Sequence, residues 1–121
     1  MSIALWVVQS LLAIVFLMTG GMKITQSKEQ LDESGFEDFS LGTVRLIGVL
    51  ELLGAIGVVL PALTGILPWL TPLAAVGLAL TMIGAAITHL QRTEYSNIIV
   101  NVVIFALAVF VVYGRFVLAP I

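Results

Sequence analysis

The sequence contains no cysteine, a single histidine and little charge. Among its 121 residues, 10% are charged and four are proline, whereas a soluble domain is typically about 25% charged. The lack of cysteine excludes disulfides, thiol redox chemistry and thiolate metal sites. A single histidine, with no second acidic residue near it in an apolar run, argues against a metal site. The net charge of −2 leaves no basic patch for nucleic acid, so that class of partner is excluded.

Apolar residues make up 60% of the chain and are concentrated in four long runs. The runs cover 2–22, 41–60, 69–90 and 96–118, and each is long enough to cross a bilayer as a helix. A soluble bundle would need a polar face on every helix, which most of these runs lack. The sequence therefore predicts a single-domain, all-α integral membrane protein in the lipid bilayer. We expect four transmembrane helices in an up-down-up-down bundle.

The first run and the connections complete this prediction. The run 2–22 lacks a basic segment before it and a clear cleavage site, so we interpret it as a mature helix rather than a signal peptide. The loop 24–40 is acidic, 61–68 carries no charge, and 91–95 is predicted to be a tight polar turn. Ser27 followed by Gln30 predicts a capping box. Leu31, Phe36 and Phe39 are expected to rest on the membrane surface.

The distribution of basic residues predicts an orientation. Lys23, Lys28, Arg45 and Arg92 lie at the end of the bundle shared by loops 24–40 and 91–95, and only Arg115 lies at the other end. Because cytoplasmic loops are rich in lysine and arginine, these two loops are predicted to face the cytoplasm.

Glu51 is the residue that most indicates a function. It lies near the middle of an apolar run, where an acidic residue costs roughly 2.5–3.5 kcal/mol on insertion scales. The cost must be offset by a basic partner, a hydrogen-bond network, a wet cavity or a proton. Arg45 stands one and a half turns away, with Gly48 between them leaving room for the arginine side chain to reach over.

Helical spacing predicts that further polar residues lie near Glu51. Gln9 and Lys23 share one face of the first helix, Asn97 and Asn101 share one face of the fourth, and His89 closes the third. We therefore expect a polar pocket that opens at the end of loops 24–40 and 91–95. Its candidate residues are Glu51, Arg45, Lys23, His89, Asn97, Asn101, Gln9 and Gly48.

Each of these residues also has a simpler interpretation. Arg45 and Lys23 can extend to the lipid headgroups, His89 can be a polar boundary residue, and Asn97 a cap or interface residue. Even the network around Glu51 can be purely structural. No phosphate-binding loop, nucleophile elbow or zinc-protease motif is present, and no residue is predicted to be catalytic or to bind a metal.

Small residues form a second pattern, typical of membrane helices that approach closely. The pattern lies mainly on the third helix and continues on the second: Gly77, Thr81, Gly84, Ala85, Thr88, Gly54 and Gly57. These residues can pack inside one bundle or between two chains, so a homodimer is an open alternative to intrachain packing.

Several strings in the chain resemble the DoxX family. They are GGMK at 20–23, RLIGVLELLGAIG at 45–57, Leu60–Pro61, GAA at 84–86 with His89, and YGR at 113–115. The most specific element is Arg45-x-x-Gly48-x-x-Glu51. The resemblance covers nearly the whole chain and implies a four-helix protein of the bacterial inner membrane. It also implies association with quinol-oxidising, thiosulfate-oxidising or oxidative-stress complexes, and it carries over Lys23, Arg45, Gly48, Glu51 and His89 as matching positions.

Three functions are consistent with these observations. The first is a small-molecule binding accessory subunit of a membrane redox partner, with the head of a quinone or lipid in the pocket. The second is an assembly or chaperone-like protein that acts through its helix faces, as the resemblance to a distant receptor-assembly chaperone implies. The third is a small proton-coupled transporter, which four helices could form only as an oligomer. Without cysteine or a second histidine to hold a redox centre, the chain is not expected to be an autonomous enzyme.

Overall fold

Four long helices dominate the structure. The computed structural model describes residues 2–36, 39–91 and 95–118. The long helices are α1 (Ser2–Thr25), α3 (Leu41–Gly57), α5 (Leu70–Gln91) and α6 (Tyr95–Tyr113), and two short ones are α2 (Lys28–Leu31) and α4 (Leu60–Thr64). Single π-helical turns follow α2 at Asp32–Phe36 and α6 at Gly114–Leu118. The described residues are mostly helical and include no strand, which confirms the all-α prediction.

Four stretches are long and apolar enough to cross a membrane. They are Ser2–Thr25, Leu41–Thr64, Leu70–Gln91 and Tyr95–Leu118. In the most apolar segment of each span, at most 33% of the residues are buried inside the bundle. Most of the apolar surface therefore faces outwards. An outward face of this kind is stable in lipid rather than in water. The structure is therefore a four-helix membrane bundle, as predicted.

The long helices form a square. Helix α1 packs on α3 and α6, and α5 packs on the same two helices, so α3 and α6 lie diagonally opposite each other. The buried core in the centre is made of residues from all four helices, the most enclosed being Leu12, Phe16, Ala55, Val58, Ala75, Leu78, Ala108 and Val111.

Glycines set the register between the helices. A Cβ atom on Gly20 would lie 2.8 Å from the Gly48 carbonyl oxygen, and one on Gly54 would lie 2.5 Å from Leu78. The helices can approach this closely because glycine has no side chain. Helix α1 therefore meets α3 at Gly20 and Gly48, and α3 meets α5 at Gly54. Gly57 likewise meets Ala74 of α5 at 2.7 Å. Two of the small residues singled out in the sequence, Gly54 and Gly57, therefore lie at contacts inside the chain.

The second span is interrupted near its end. We expected one helix over 41–60 followed by a loop, but α3 ends at Gly57 and the chain becomes helical again from Leu60 to Thr64. Pro61 explains the break, because it has no N–H to donate to the carbonyl of Gly57 four residues earlier. Gly65, at φ +73°, ends α4 in the left-handed conformation that glycine favours.

The segment after α1 folds back towards the bundle. Ser27 and Gln30 form the predicted capping box, and Lys28 pairs with Asp32 one turn later. Leu31 is 1% exposed, and the ring of Phe36 lies 5.3 Å from the ammonium of Lys23. The expectation that Leu31 rests on the membrane surface is therefore wrong, since it is buried in the protein.

Some predictions concern residues that the structure does not describe. The tight turn expected at 91–95 is centred on 92–94, which include Arg92. Two of the acidic residues of the first loop, Glu37 and Asp38, also lie outside the described residues.

Candidate functional site

A buried ion pair lies at the centre of the candidate site. The ammonium of Lys23 on α1 lies 2.7 Å from the Glu51 carboxylate on α3. The two side chains are only 11% and 4% exposed. Lys23 comes near the end of its helix and Glu51 comes in the middle of the second span, so the lysine reaches down to the carboxylate. The pair offsets the cost that a lone acid would incur at this depth.

Thr19 completes the coordination of the carboxylate. Its hydroxyl donates a hydrogen bond to the second carboxylate oxygen of Glu51. Thr19 lies one turn before Lys23 on the same face of α1, so a single helix supplies both partners. Gly20 and Gly48 let the two backbones approach closely enough for these short side chains to meet.

Arg45 has a different partner from the one expected. Its guanidinium donates a 2.8 Å hydrogen bond to the backbone carbonyl of Lys23, near the last turn of α1. Arg45 lies six residues from Glu51, which is about 9 Å along a helix axis, so the described ion pair of Glu51 is formed by Lys23 instead. Arg45 thus anchors the end of α1 and holds the lysine in place.

Asn101 lies at the same depth on the diagonally opposite helix. On α3, Glu51 lies three residues from Gly54 in the direction of loop 24–40. On the antiparallel α5, Thr81 lies three residues from Leu78 in the same direction. Asn101 donates to the sulfur of Met82, the residue after Thr81, at 3.5 Å, so it lies at roughly the depth of Glu51. Its side-chain oxygen is buried and has no hydrogen-bond partner among the described residues.

Together, Thr19, Lys23, Glu51 and Asn101 form what we call the polar layer. Its residues come from α1, α3 and α6, in a core that is otherwise apolar. Phe36 lies against Lys23 on the side of loop 24–40. The layer is therefore enclosed in this structure, whereas the sequence predicted a pocket open at that end.

Gln9 lies in a second polar cluster, towards the opposite end of the bundle. Its amide nitrogen donates to the Val58 carbonyl at 2.6 Å, and its oxygen accepts a 2.8 Å hydrogen bond from Arg115. Arg115 also lies 5.3 Å from the ring of Trp6. Gln9 is ten residues, or about 15 Å, from Thr19, so the structure does not bring it to the polar layer.

His89 and Asn97 lie between the polar layer and the end of the bundle that carries loops 24–40 and 91–95. His89, in the last turn of α5, is eight residues or about 12 Å from Thr81, and Asn97 is one turn or about 6 Å from Asn101. His89 is partly buried and Asn97 is exposed. The expected pocket is thus divided. Lys23, Glu51 and Gly48 come together with Arg45 close by. Asn101 lies at a similar depth on α6, and the other predicted residues lie apart.

The roles of two side chains in these clusters, Thr19 and Arg115, were not predicted from the sequence. Thr19 has a signal that could have found it, because it precedes Lys23 by four residues on one face of α1. Arg115 was placed by the sequence at the end opposite loops 24–40 and 91–95 and within the YGR string, but no spacing along one helix connects it with Gln9. Both bonds connect different helices, and helix pairing is not visible in the spacing along one helix.

Among the described residues, no three His, Cys, Asp or Glu side chains come close enough to hold a metal ion. What the polar layer can do chemically is donate and accept hydrogen bonds within an apolar core. An ammonium has three N–H donors, so Lys23 can hold Glu51 and still donate to another acceptor.

Four membrane-length helices around an enclosed polar layer define a small integral membrane protein. Comparison with protein families agrees: the chain belongs to the DoxX-like family, whose model matches residues 7–111. The match includes every member of the polar layer and the Arg45-x-x-Gly48-x-x-Glu51 element. No curated protein and no solved structure matches the chain.

Proposed function

We propose that the protein binds the polar head of a quinone or lipid at the polar layer, as an accessory subunit of a membrane redox or stress complex. The observation that carries this proposal is the composition of the layer. A buried cation, a hydroxyl and a carboxylate lie at about the depth of an amide oxygen that has no hydrogen-bond partner among the described residues, near the middle of an apolar span.

The donors and acceptors suit such a head. A ligand carbonyl would accept from the Lys23 ammonium, and a ligand hydroxyl would donate to the side-chain oxygen of Asn101. Buried polar groups are rarely left unsatisfied, so the Asn101 oxygen favours a ligand or an ordered water at this depth. Intramembrane ionisable residues also tend to be functional.

Mass spectrometry of small molecules retained by the purified protein tests the proposal. A quinone or a specific lipid should be retained by the wild type and lost in Glu51→Gln, which keeps the shape of the side chain but removes its charge. Glu29→Gln, an exposed change in the acidic loop, is the matched control and should retain the ligand. If all three preparations hold the same bulk lipid, the proposal is wrong.

A second candidate is an assembly or chaperone-like function. It is favoured by Gly77 and Gly84 of α5, where a Cβ atom would meet nothing within 4 Å. Glycines that no intrachain contact requires offer a face for another membrane helix, from a partner protein or from a second copy. Stable co-purification with one membrane protein, lost in Gly84→Leu, would support this function, and unchanged co-purification would contradict it.

We further propose that the protein lies in the bacterial inner membrane, with loops 24–40 and 91–95 in the cytoplasm. The rule of positive cytoplasmic loops supports this orientation. Because the chain has no cysteine, single cysteines at Ser27 and at the exposed Ile66 can report it. An impermeant thiol reagent added to intact cells should label only Ile66→Cys, and both variants should react after permeabilisation. Labelling of only Ser27→Cys in intact cells would reverse the orientation.

A further inference from the structure

The segment between α1 and α3 lies at the end of the bundle towards which the polar layer was expected to open. It joins the helix of Lys23 to the helix of Glu51. Residues 28–36 of this segment form α2 and the π-helical turn that follows it. Two of their side chains turn inwards, because Leu31 is buried and the ring of Phe36 lies 5.3 Å from the Lys23 ammonium. The segment therefore covers the polar layer on this side.

The bonds within this segment are local, so it can move as a unit. Ser27 and Gln30 form the capping box of α2, and Lys28 pairs with Asp32 one turn later. Among the described residues, α2 and the turn after it contact each other more than they contact any long helix. The local bonds stay intact when the segment moves away from the bundle. Local units with few contacts to the rest of a protein open at a lower free energy than its core helices.

Phe36 and Arg45 lie between the loop end of the bundle and Glu51. Arg45 belongs to a long helix and is fixed to the end of α1 by its bond to the Lys23 carbonyl. Phe36 belongs to the segment that can move, and its ring contacts the Lys23 ammonium and the ring of Phe39, 6.3 Å away between centroids. A ring over an ammonium is held by a weak cation–π attraction. Of the two side chains, Phe36 is therefore the one whose displacement would uncover the ion pair.

We propose that residues 28–36 are a lid that controls access from water to the polar layer, with Phe36 as its closing contact. The structure shows the closed state, in which the ring covers Lys23. In the open state the segment moves away as a unit about Ser27, and solutes reach Lys23 and Glu51 from the side of loop 24–40. The proposal goes beyond the proposed function, because it concerns the route to the layer and holds for any occupant.

A cysteine in place of Thr19 reports the opening of the lid. The chain has no cysteine of its own, and the Thr19 side chain contacts Glu51 inside the layer. Protein with Thr19→Cys is placed in phosphatidylcholine vesicles and treated on both sides of the membrane with 2-sulfonatoethyl methanethiosulfonate. This anionic reagent is excluded from hydrocarbon, so it reaches position 19 only through water. The rate of modification, followed by mass spectrometry, therefore measures the population of the open state.

Substitutions in the lid should change this rate, each made together with Thr19→Cys. Phe36→Ala should raise the rate constant about tenfold, which corresponds to 1.4 kcal/mol taken from the closed state. Leu31→Ala should act in the same direction, because it removes the other inward contact. Phe36→Tyr keeps a ring over the ammonium and should leave the rate unchanged. The matched control is Phe116→Ala, which removes an exposed ring at the opposite end of the bundle and should also leave it unchanged.

Three results of this experiment would overturn the proposal. Equal rates in Phe36→Ala and Phe36→Tyr would show that the ring closes nothing. An equal rise in Phe116→Ala would show a general loosening of the bundle instead of an opening at one end. With the native lid, modification of Thr19→Cys as fast as that of Ser27→Cys, an exposed position, would show that the layer is already open.

Amide hydrogen exchange of the unsubstituted protein is an independent measurement of the same motion. Residues 28–36 should exchange faster than α1 and α3, since the lid opens while the bundle stays folded. Equal protection in the three segments would contradict a separate opening. None of these measurements needs a ligand. Failure of the proposed function is therefore recognised separately, by unchanged ligand retention in Glu51→Gln.

Discussion

The Lys23–Glu51 pair is the residue-scale feature that most needs an explanation. A buried ion pair contributes little net stability compared with apolar residues of the same shape, because both charges are desolvated. Breaking it is nevertheless costly, since one buried charge then has no partner. Net stability therefore does not account for the presence of the pair.

This explanation predicts the outcome of a double-mutant cycle. Lys23→Met or Glu51→Met alone should lower the free energy of unfolding by about 3–5 kcal/mol, because each leaves an uncompensated charge. The double variant should lie within about 1 kcal/mol of the wild type, as expected when a buried pair is replaced by apolar residues. Denaturant unfolding in detergent, followed by circular dichroism, measures both. A double variant as unstable as the singles would show that the pair is needed for folding itself.

The contact between Gly20 and Gly48 gives a second prediction at this scale. Gly20→Ala and Gly48→Ala should each destabilise the protein by about 1–3 kcal/mol, the usual cost of overpacking. The reason is that the new methyl group would lie less than 3 Å from the backbone oxygen of the other helix. The neighbouring Gly21 is the control, because its Cβ would meet nothing within 4 Å. Gly21→Ala should be neutral or slightly stabilising, by up to about 1 kcal/mol. Equal effects at all three glycines in the same unfolding assay would contradict the close approach.

At the scale of elements, the backbone groups without helical hydrogen bonds at the break between α3 and α4 need other partners inside the membrane. Backbone groups freed from helical bonds find no water in the hydrocarbon region. Gln9 of α1 provides a donor for the Val58 carbonyl, next to the Gly57 carbonyl that loses its helical donor at Pro61, and Arg115 fixes the Gln9 amide by donating to its oxygen. Two distant segments therefore stabilise an interruption caused by Pro61.

Removal of this donor should destabilise the second span. Gln9→Leu removes one hydrogen bond from the Val58 carbonyl and one from Arg115, and we expect a loss of about 1–3 kcal/mol for each buried group. The control is Ser10→Leu, an exposed neighbour on the outer face of α1, which should have little effect. Amide hydrogen exchange would locate the loss: exchange should rise at 58–64 in Gln9→Leu and stay low in the control.

Elements also show what the sequence could and could not predict. The spans follow from apolar length alone, because no other regular structure of that length satisfies its backbone in lipid. The partner of Glu51 did not follow, since Arg45 is close along the chain whereas Lys23 is close only in space. The register that unites Lys23 with Glu51 depends on the Gly20–Gly48 contact between two helices. Spacing within one helix does not contain that information.

On the scale of the whole molecule, the bundle is two helical hairpins joined by one exposed loop. Helices α1 and α3 make one extensive contact, α5 and α6 another, and the contacts between the hairpins are smaller. Between the hairpins lie the Gly54–Leu78 contact, the Gly57–Ala74 contact and the Gln9–Arg115 bond. Gly114 also lies at a contact between the hairpins, since a Cβ atom on it would collide with Leu5 of α1.

This organisation predicts that the protein can be divided. The link from Gly65 to Leu67 is exposed and lies outside every long helix, which is the kind of site that tolerates a cut. Fragments 1–66 and 67–121, produced together with an affinity tag on one of them, should therefore co-purify from membranes as a complex. Helices that are individually stable in lipid need only the contacts between hairpins to associate.

The same experiment identifies which contacts hold the hairpins together. Gly114→Leu, which would force Leu5 aside, should prevent the fragments from co-purifying, whereas Gly84→Leu, on the open face of α5, should not. If the wild-type fragments remain separate although both are inserted, then the covalent link through loop 61–68 is required for assembly. Ligand retention would test the reassembled complex further, because the residues of the polar layer come from both fragments. Thr19, Lys23 and Glu51 lie in the first fragment and Asn101 in the second, so a reassembled complex that again retains the wild-type ligand would have restored the site as well as the fold.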